Sequence, residues 1–211
     1  MRDFRWIAVV LVVFAAALAW LMMQPPGAIV AISRENGPIE NASAIGFALC
    51  ALAVWLRSGT STVTKGLVSV LMLVLTMREL DVDKRFFTRG LFKSSQYLKD
   101  TVPTGEKIVS AVILLVILGC LVALVMRERQ TIRAALRRWH AGTIALATTI
   151  VFAGIAKSLD GAARKLAPFG VEVSDDLGVY LGGVEELMEL AIMALLLVAI
   201  LCWPRRDAAR G

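Results

Sequence analysis

Apolar positions fall into six runs, 6–23, 42–56, 66–80, 108–126, 141–159 and 178–203, separated by short stretches rich in charge, glycine or proline. A helix needs about 20 residues to cross a hydrocarbon layer, so these runs predict an all-α, polytopic membrane bundle of about six transmembrane helices in one domain. The second run is short, and Ile39 to Asn41 extend it by a turn. Pro25, Pro26, Gly27 and Pro38 mark the loop before it, and Pro103, Thr104 and Gly105 break the chain before the fourth run. Ser174 is placed to cap the last helix, with Asp175 and Asp176 in a first turn where the helix dipole favours acids. Ala17-Leu18-Ala19 has the small-residue form of a signal-peptide cleavage site, but the first run is long enough to span and is read as a retained helix.

Two segments between the runs have a different pattern. In 84–100, Phe86, Phe87, Leu91, Phe92, Tyr97 and Leu98 are interleaved with Arg89, Lys93 and Lys99. In 127–140, Ile132, Leu136 and Trp139 recur at helical spacing among Arg129, Arg133, Arg137 and Arg138. Both are expected to lie at the membrane interface, rings in the acyl boundary and cations at phosphates.

The hydrophobic content of 58% and mean hydropathy of +0.72 over 211 residues exclude an ordinary soluble domain. A net charge of +6 does not call for nucleic acid, because the cations sit between the runs, where they orient the chain. Arg2 and Arg5, Arg57 and Lys65, the arginines of 127–138, and Arg205, Arg206 and Arg210 alternate with the acid-bearing loops. This places both termini in the cytoplasm of a bacterial-type inner (plasma) membrane. The segment 78–107 also carries many cations, mixed with acids. Cys50, Cys120 and Cys202 lie in apolar runs and read as small buried hydrophobes; no disulfide framework or zinc-type pair is implied. His140, beside Trp139, reads as an interfacial anchor.

The alternation of helices then brings the acids to one outer end: Glu35 and Glu40 before the second helix, Glu79, Asp81 and Asp83 after the third, Asp160 after the fifth, and Glu185, Glu186 and Glu189 in the sixth. Carboxylates in a membrane helix are costly and mark a protein interior or wet cavity. Gly178, Gly182 and these glutamates share one stripe, which is expected to face other helices. The sixth helix contains no basic residue to balance its three glutamates, so a cation, shared protons or a neighbour such as Arg78 or Lys157 is required.

Carboxylates without histidine or paired cysteine suit calcium, magnesium or manganese. The expected metal ligands are Glu185, Glu189, Asp81, Asp83 and Asp160. Glu186, Glu189 and Glu79 are the expected acid–base groups, and Arg78, Lys84, Arg85, Arg89, Lys157, Glu35 and Glu40 line the site for a lipid or isoprenoid phosphate headgroup. The Asp81-Val82-Asp83 pair is similar to the acidic pair with which many sugar transferases hold a metal-bound diphosphate. The run Asp160-Gly161-Ala162-Ala163-Arg164 resembles part of the motif of CDP-alcohol phosphatidyltransferases, which are polytopic membrane enzymes; the preceding acid of that motif falls on Lys157 and its later acids are out of register, so no residue role carries over. The leading expectation is an outward-facing cation and lipid-phosphate site that could serve metal-dependent lipid modification. The alternatives are an oligomeric cation or proton channel or transporter, and a sensor or accessory subunit. The partners expected are membrane lipids, with a second copy or another membrane protein as the protein partner.

Overall fold

A computed structural model describes residues 3–34 and 37–204, and all regular structure among them is helical. In chain order the helices are α1 (Phe4–Met22), α2 (Pro26–Ile32), α3 (Pro38–Ala53), α4 (Thr62–Glu79), α5 (Val82–Phe86), α6 (Ser95–Leu98), α7 (Thr104–Arg137), α8 (Ala141–Leu159), α9 (Ala162–Leu166) and α10 (Asp175–Leu201). Four stretches are long and apolar enough to cross a membrane: Phe4–Met22, Pro38–Leu56, Thr104–Arg137 and Ala141–Leu159. The remaining two long helices carry more charge, Lys65, Arg78 and Glu79 in α4 and Glu185, Glu186 and Glu189 in α10.

Local chemistry sets the helix starts. Pro38 occupies the first turn of α3, where a missing N–H costs nothing, so the short second run gains Ile39 to Asn41. Ser61 caps α4 by accepting from the Thr64 amide at 3.2 Å, which starts that helix before the apolar run. Ser174 accepts from the Leu177 amide at 3.3 Å and opens α10. The 127–140 segment does not begin a new helix. With no glycine or proline between Gly119 and Arg137, α7 continues for 34 residues, about 51 Å at 1.5 Å per residue. That exceeds a hydrocarbon core of about 30 Å, so its arginine-rich end extends past the apolar part. The helix closes with Trp139 in the left-handed region at φ 51° and the His140 amide bonded back to the Ala135 carbonyl at 2.9 Å. His140 then caps α8, its Nδ1 accepting from the Gly142 amide at 3.3 Å, a role the sequence reading did not assign.

The central element is α10, which packs against α8, α3, α1 and α2, while α4 packs on α3 and α7. Three apolar clusters follow one another along it. Leu187 meets Leu21 and Ile29; Met193 and Leu197 meet Phe47, Cys50 and Met72; Leu195 and Val198 meet Ile7, Ala141 and Ala145. These contacts fix the directions. The C-terminal ends of α1, α4 and α8 share the acidic end of the bundle with the N-terminal ends of α3, α7 and α10, and the opposite, basic end carries the arginines of α7.

The close helix approaches occur at glycines other than the expected pair. A Cβ on Gly183 would meet Ile29 and Leu21, and one on Gly46 would overlap the Met193 side chain, whereas Gly178 and Gly182 have nothing within 4 Å of that position. The stripe is therefore open at Gly178 and Gly182, while Glu189 farther along it meets Arg78 of α4. Gly142 is closely constrained by the backbone at the end of another helix, because an added Cβ would lie 2.7 Å from the Cys202 carbonyl oxygen and 3.0 Å from the Trp203 Cα. Backbone cannot swing aside as a side chain does. Gly142→Ala should thus destabilise by about 1–3 kcal/mol despite the better helix propensity of alanine. Thermal unfolding in detergent decides this, and a rise in melting temperature would contradict the contact.

Candidate functional site

The acidic end gathers side chains from four elements. Arg78, in the last turn of α4, is ion-paired with Glu189 of α10 and stands 3.8 Å from its neighbour Glu79, whose side chain is only 4% exposed. Glu79 lies within electrostatic reach of Glu189, Glu40 and Asp81, and Glu186 within reach of Glu189, Glu40, Glu79 and Glu185. Glu185 lies within electrostatic reach of Asp160 and Lys157 at the end of α8 as well as of Glu189 and Arg78. Helical geometry explains the arrangement. Glu185, Glu186 and Glu189 fall within little more than one turn of the central helix, and α3, α4 and α8 each bring one end to that level.

One guanidinium is thus shared by Glu79 and Glu189. Lys157 is ion-paired with Asp160, and Lys165 donates to the Lys157 carbonyl at 2.6 Å. The hydrogen bond from Lys157 holds the Asp160 carboxyl below its ordinary range, aided by the charges of Lys157, Lys165 and Arg164 and opposed by partial burial. Among the described residues no ion pair or hydrogen bond reaches Glu185 or Glu186, though both are partly buried. Gly182 and Gly178 lie about one and two turns from these carboxylates towards the N-terminus of α10, with open space at both.

The expected site residues separate into groups. Glu40, Glu79, Glu185, Glu186, Glu189 and Arg78 come together, with Asp81 at one margin and Asp160 with Lys157 at another. The five expected metal ligands do not form one coordination set. Glu189 is committed to Arg78, Asp160 to Lys157, and Asp81 to Lys84 at 2.5 Å. Asp83 accepts from the Leu91 amide at 2.7 Å, and Gly90 at φ 87° is the glycine that admits its carboxylate, since a Cβ there would lie 2.9 Å from Oδ2. Among the described residues no three His, Cys, Asp or Glu side chains are grouped so as to hold a metal ion. Arg85 and Arg89 are exposed on the segment beyond α4. Glu35 lies outside the described residues.

That segment is held by a set of side-chain hydrogen bonds. Glu106, in the first turn of α7, accepts from the Thr88 amide at 2.5 Å, from the Thr88 hydroxyl at 2.9 Å and from Gln96 Nε2 at 2.8 Å. Gln96, fully buried, accepts from the Arg89 amide at 2.9 Å, and the Tyr97 hydroxyl donates to the Leu91 carbonyl at 2.6 Å. Glu106 and Gln96 are thus the organisers of residues 88–106. Only the position of Glu106, three residues after Pro103 at a helix start, hinted at this. Phe86, Phe92 and Leu98 remain exposed while Leu91 and Val102 are buried.

The opposite end offers a second polar concavity, bordered by Asp3, Arg57, Ser58, His140 and Cys202. Cys202 is half-buried there, at the end of the last apolar run. His140 contributes its Nδ1 to the cap of α8.

No protein-family model, curated protein or solved structure matches the chain, so the functional reading rests on the site itself.

Proposed function

We propose that this protein is a six-span integral membrane protein whose acidic end faces outward, with both termini on the cytoplasmic side of a bacterial-type inner membrane, and that Glu185 and Glu186 bind a hard divalent cation together with a lipid or isoprenoid phosphate. The observation that carries this reading is the absence of any ion-pair or hydrogen-bond partner for Glu185 and Glu186 among the described residues, beside an arginine already shared by Glu79 and Glu189. Adjacent carboxylates at the edge of a hydrocarbon layer need positive charge from elsewhere. Magnesium is commonly held by one or two carboxylates plus phosphate oxygens and water, so a complete cage of protein ligands is not required. Manganese and calcium suit the same oxygen donors.

Exposed Arg85 and Arg89, with exposed Phe86 and Phe92, supply cations and rings at the level where a headgroup would sit. Glu186 is the group placed to take a proton from a nucleophile activated by the cation, which makes metal-dependent lipid modification the reaction class of this proposal. A channel is less well supported. The cavity between α4, α7 and α10 lies at the basic end, is walled mainly by apolar side chains and includes none of the acidic-end residues in its lining.

The test is thermal unfolding of the protein in nanodiscs containing anionic phospholipid, with calcium, magnesium or manganese added in turn. Wild type should gain several degrees with at least one cation, and Glu185→Gln/Glu186→Gln should gain none. Wild type that ignores every cation, but whose stability tracks pH in a manner abolished by the double substitution, would replace bound metal with shared protons.

A further inference from the structure

The structure holds a cavity of about 240 Å³ at the other end of the bundle, distant from the carboxylates and independent of the reading above. Leu71 and Met72 of α4, Leu121 and Val125 of α7, and Leu196 and Ala199 of α10 form its walls. Its polar residues, Arg57, Thr60, Thr64 and Glu128, belong to the basic end. Glu128 is buried and accepts from the Thr64 hydroxyl at 2.9 Å. Helix α7 packs along α4 and touches α8 little, and Leu121 and Val125 are exposed to the surroundings while lining the cavity. The cavity is therefore reached from the side, at the depth of helices long and apolar enough to span a membrane.

We propose that this cavity holds one acyl chain of an anionic phospholipid from the leaflet at the basic end. Protein interiors are packed close to crystal density, and the part of this void bounded by leucine, valine and methionine lacks the partners that a water molecule needs. Hydrocarbon is the filling that its surroundings supply. The volume is below that of pockets for drug-sized ligands and suits a single alkyl chain. Charge complementarity specifies the headgroup. The last turns of α7 present Arg127, Arg129, Arg133 and Arg137 to the surroundings, and the only acid among them, Glu128, is turned inward and hydrogen-bonded. Phosphates of an anionic leaflet are attracted to such a stretch. The chain in the cavity and the phosphate at the arginines are then the two ends of one molecule.

Native mass spectrometry of full-length protein reconstituted with equimolar phosphatidylglycerol and phosphatidylcholine tests this. Wild type should retain one lipid per chain, with phosphatidylglycerol at least fivefold over phosphatidylcholine. Ala199→Phe, which fills the cavity from α10, should lose the retained lipid; because Ala199 also belongs to the buried core, Val125→Trp fills the same space from the exposed helix and should do likewise. Arg129→Gln/Arg133→Gln should keep one lipid but lose the preference for phosphatidylglycerol. Wild type that retains no lipid, folded filling variants that retain as much as wild type, an arginine variant with unchanged preference, or a lipid-free dimer whose second copy closes the cavity would each overturn the proposal.

Discussion

Arg78→Ala should destabilise the fold by about 2 kcal/mol or more, the range for losing a charged hydrogen-bond partner of buried groups. It leaves Glu189 without its ion pair and Glu79, almost fully buried, beside other carboxylates without its nearest cation. The estimate stays below that for a wholly buried pair because Arg78 itself is 46% exposed. Arg78→Lys should recover part of the loss, since an ammonium restores charge but not the planar fork between two acids. The informative variant is Arg78→Ala/Glu189→Gln. A neutral amide needs no counter-charge, so the double substitution should be more stable than the sum of its parts by about 1 kcal/mol. Thermal unfolding of all four proteins in one detergent supplies the cycle, and strictly additive losses would mean that Arg78 acts only through packing.

The same residues show how far a sequence can be read. The helices were legible because spanning runs are bounded by proline, glycine and capping serine, and the directions followed because helices alternate. That was enough to bring Glu40, Glu79, Glu185, Glu186 and Glu189 to one end. Which carboxylate meets which cation was not legible, since it depends on rotation about each helix axis, and apolar periodicity is weak in a helix that is hydrophobic all round. Lys157 paired with Asp160 and Arg78 with Glu189, which leaves Glu185 and Glu186 as the exceptions and removes Asp81, Asp83 and Asp160 from a common ligand set. Glycines were misassigned for a similar reason. Gly178 and Gly182 share the acids' stripe, but Gly183, one residue round the helix, is the one that meets Leu21 and Ile29. The folded segment after α4 depends on Glu106 and Gln96 bonding to backbone at chosen points, which periodicity does not reveal.

Arg57 should prove the most sensitive position at the basic end. Its guanidinium donates to the carbonyls of Ile200, at 2.6 Å, Leu201 and Trp203, the last of which lies just past the end of α10. A helix terminus leaves its final carbonyls without intrahelical partners, and the negative end of the helix dipole favours a cation there. Water satisfies such groups on a soluble protein; at the edge of a hydrocarbon layer each unsatisfied group is costlier. Arg57 therefore does for the central helix what a cap does elsewhere, and it also ties the end of α3 to the helix against which α1, α2, α3 and α8 pack. Arg57→Ala should cost about 2–4 kcal/mol, since a charged donor to several acceptors is lost at once. Arg57→Lys should fall between, because one ammonium cannot reach three carbonyls in fork geometry. Hydrogen exchange distinguishes a local effect from a global one: the amides of 196–203 should lose protection in Arg57→Ala well before those of 183–190. Uniform loss along α10 would make Arg57 a general packing residue, and unchanged exchange with unchanged unfolding would remove the capping role altogether.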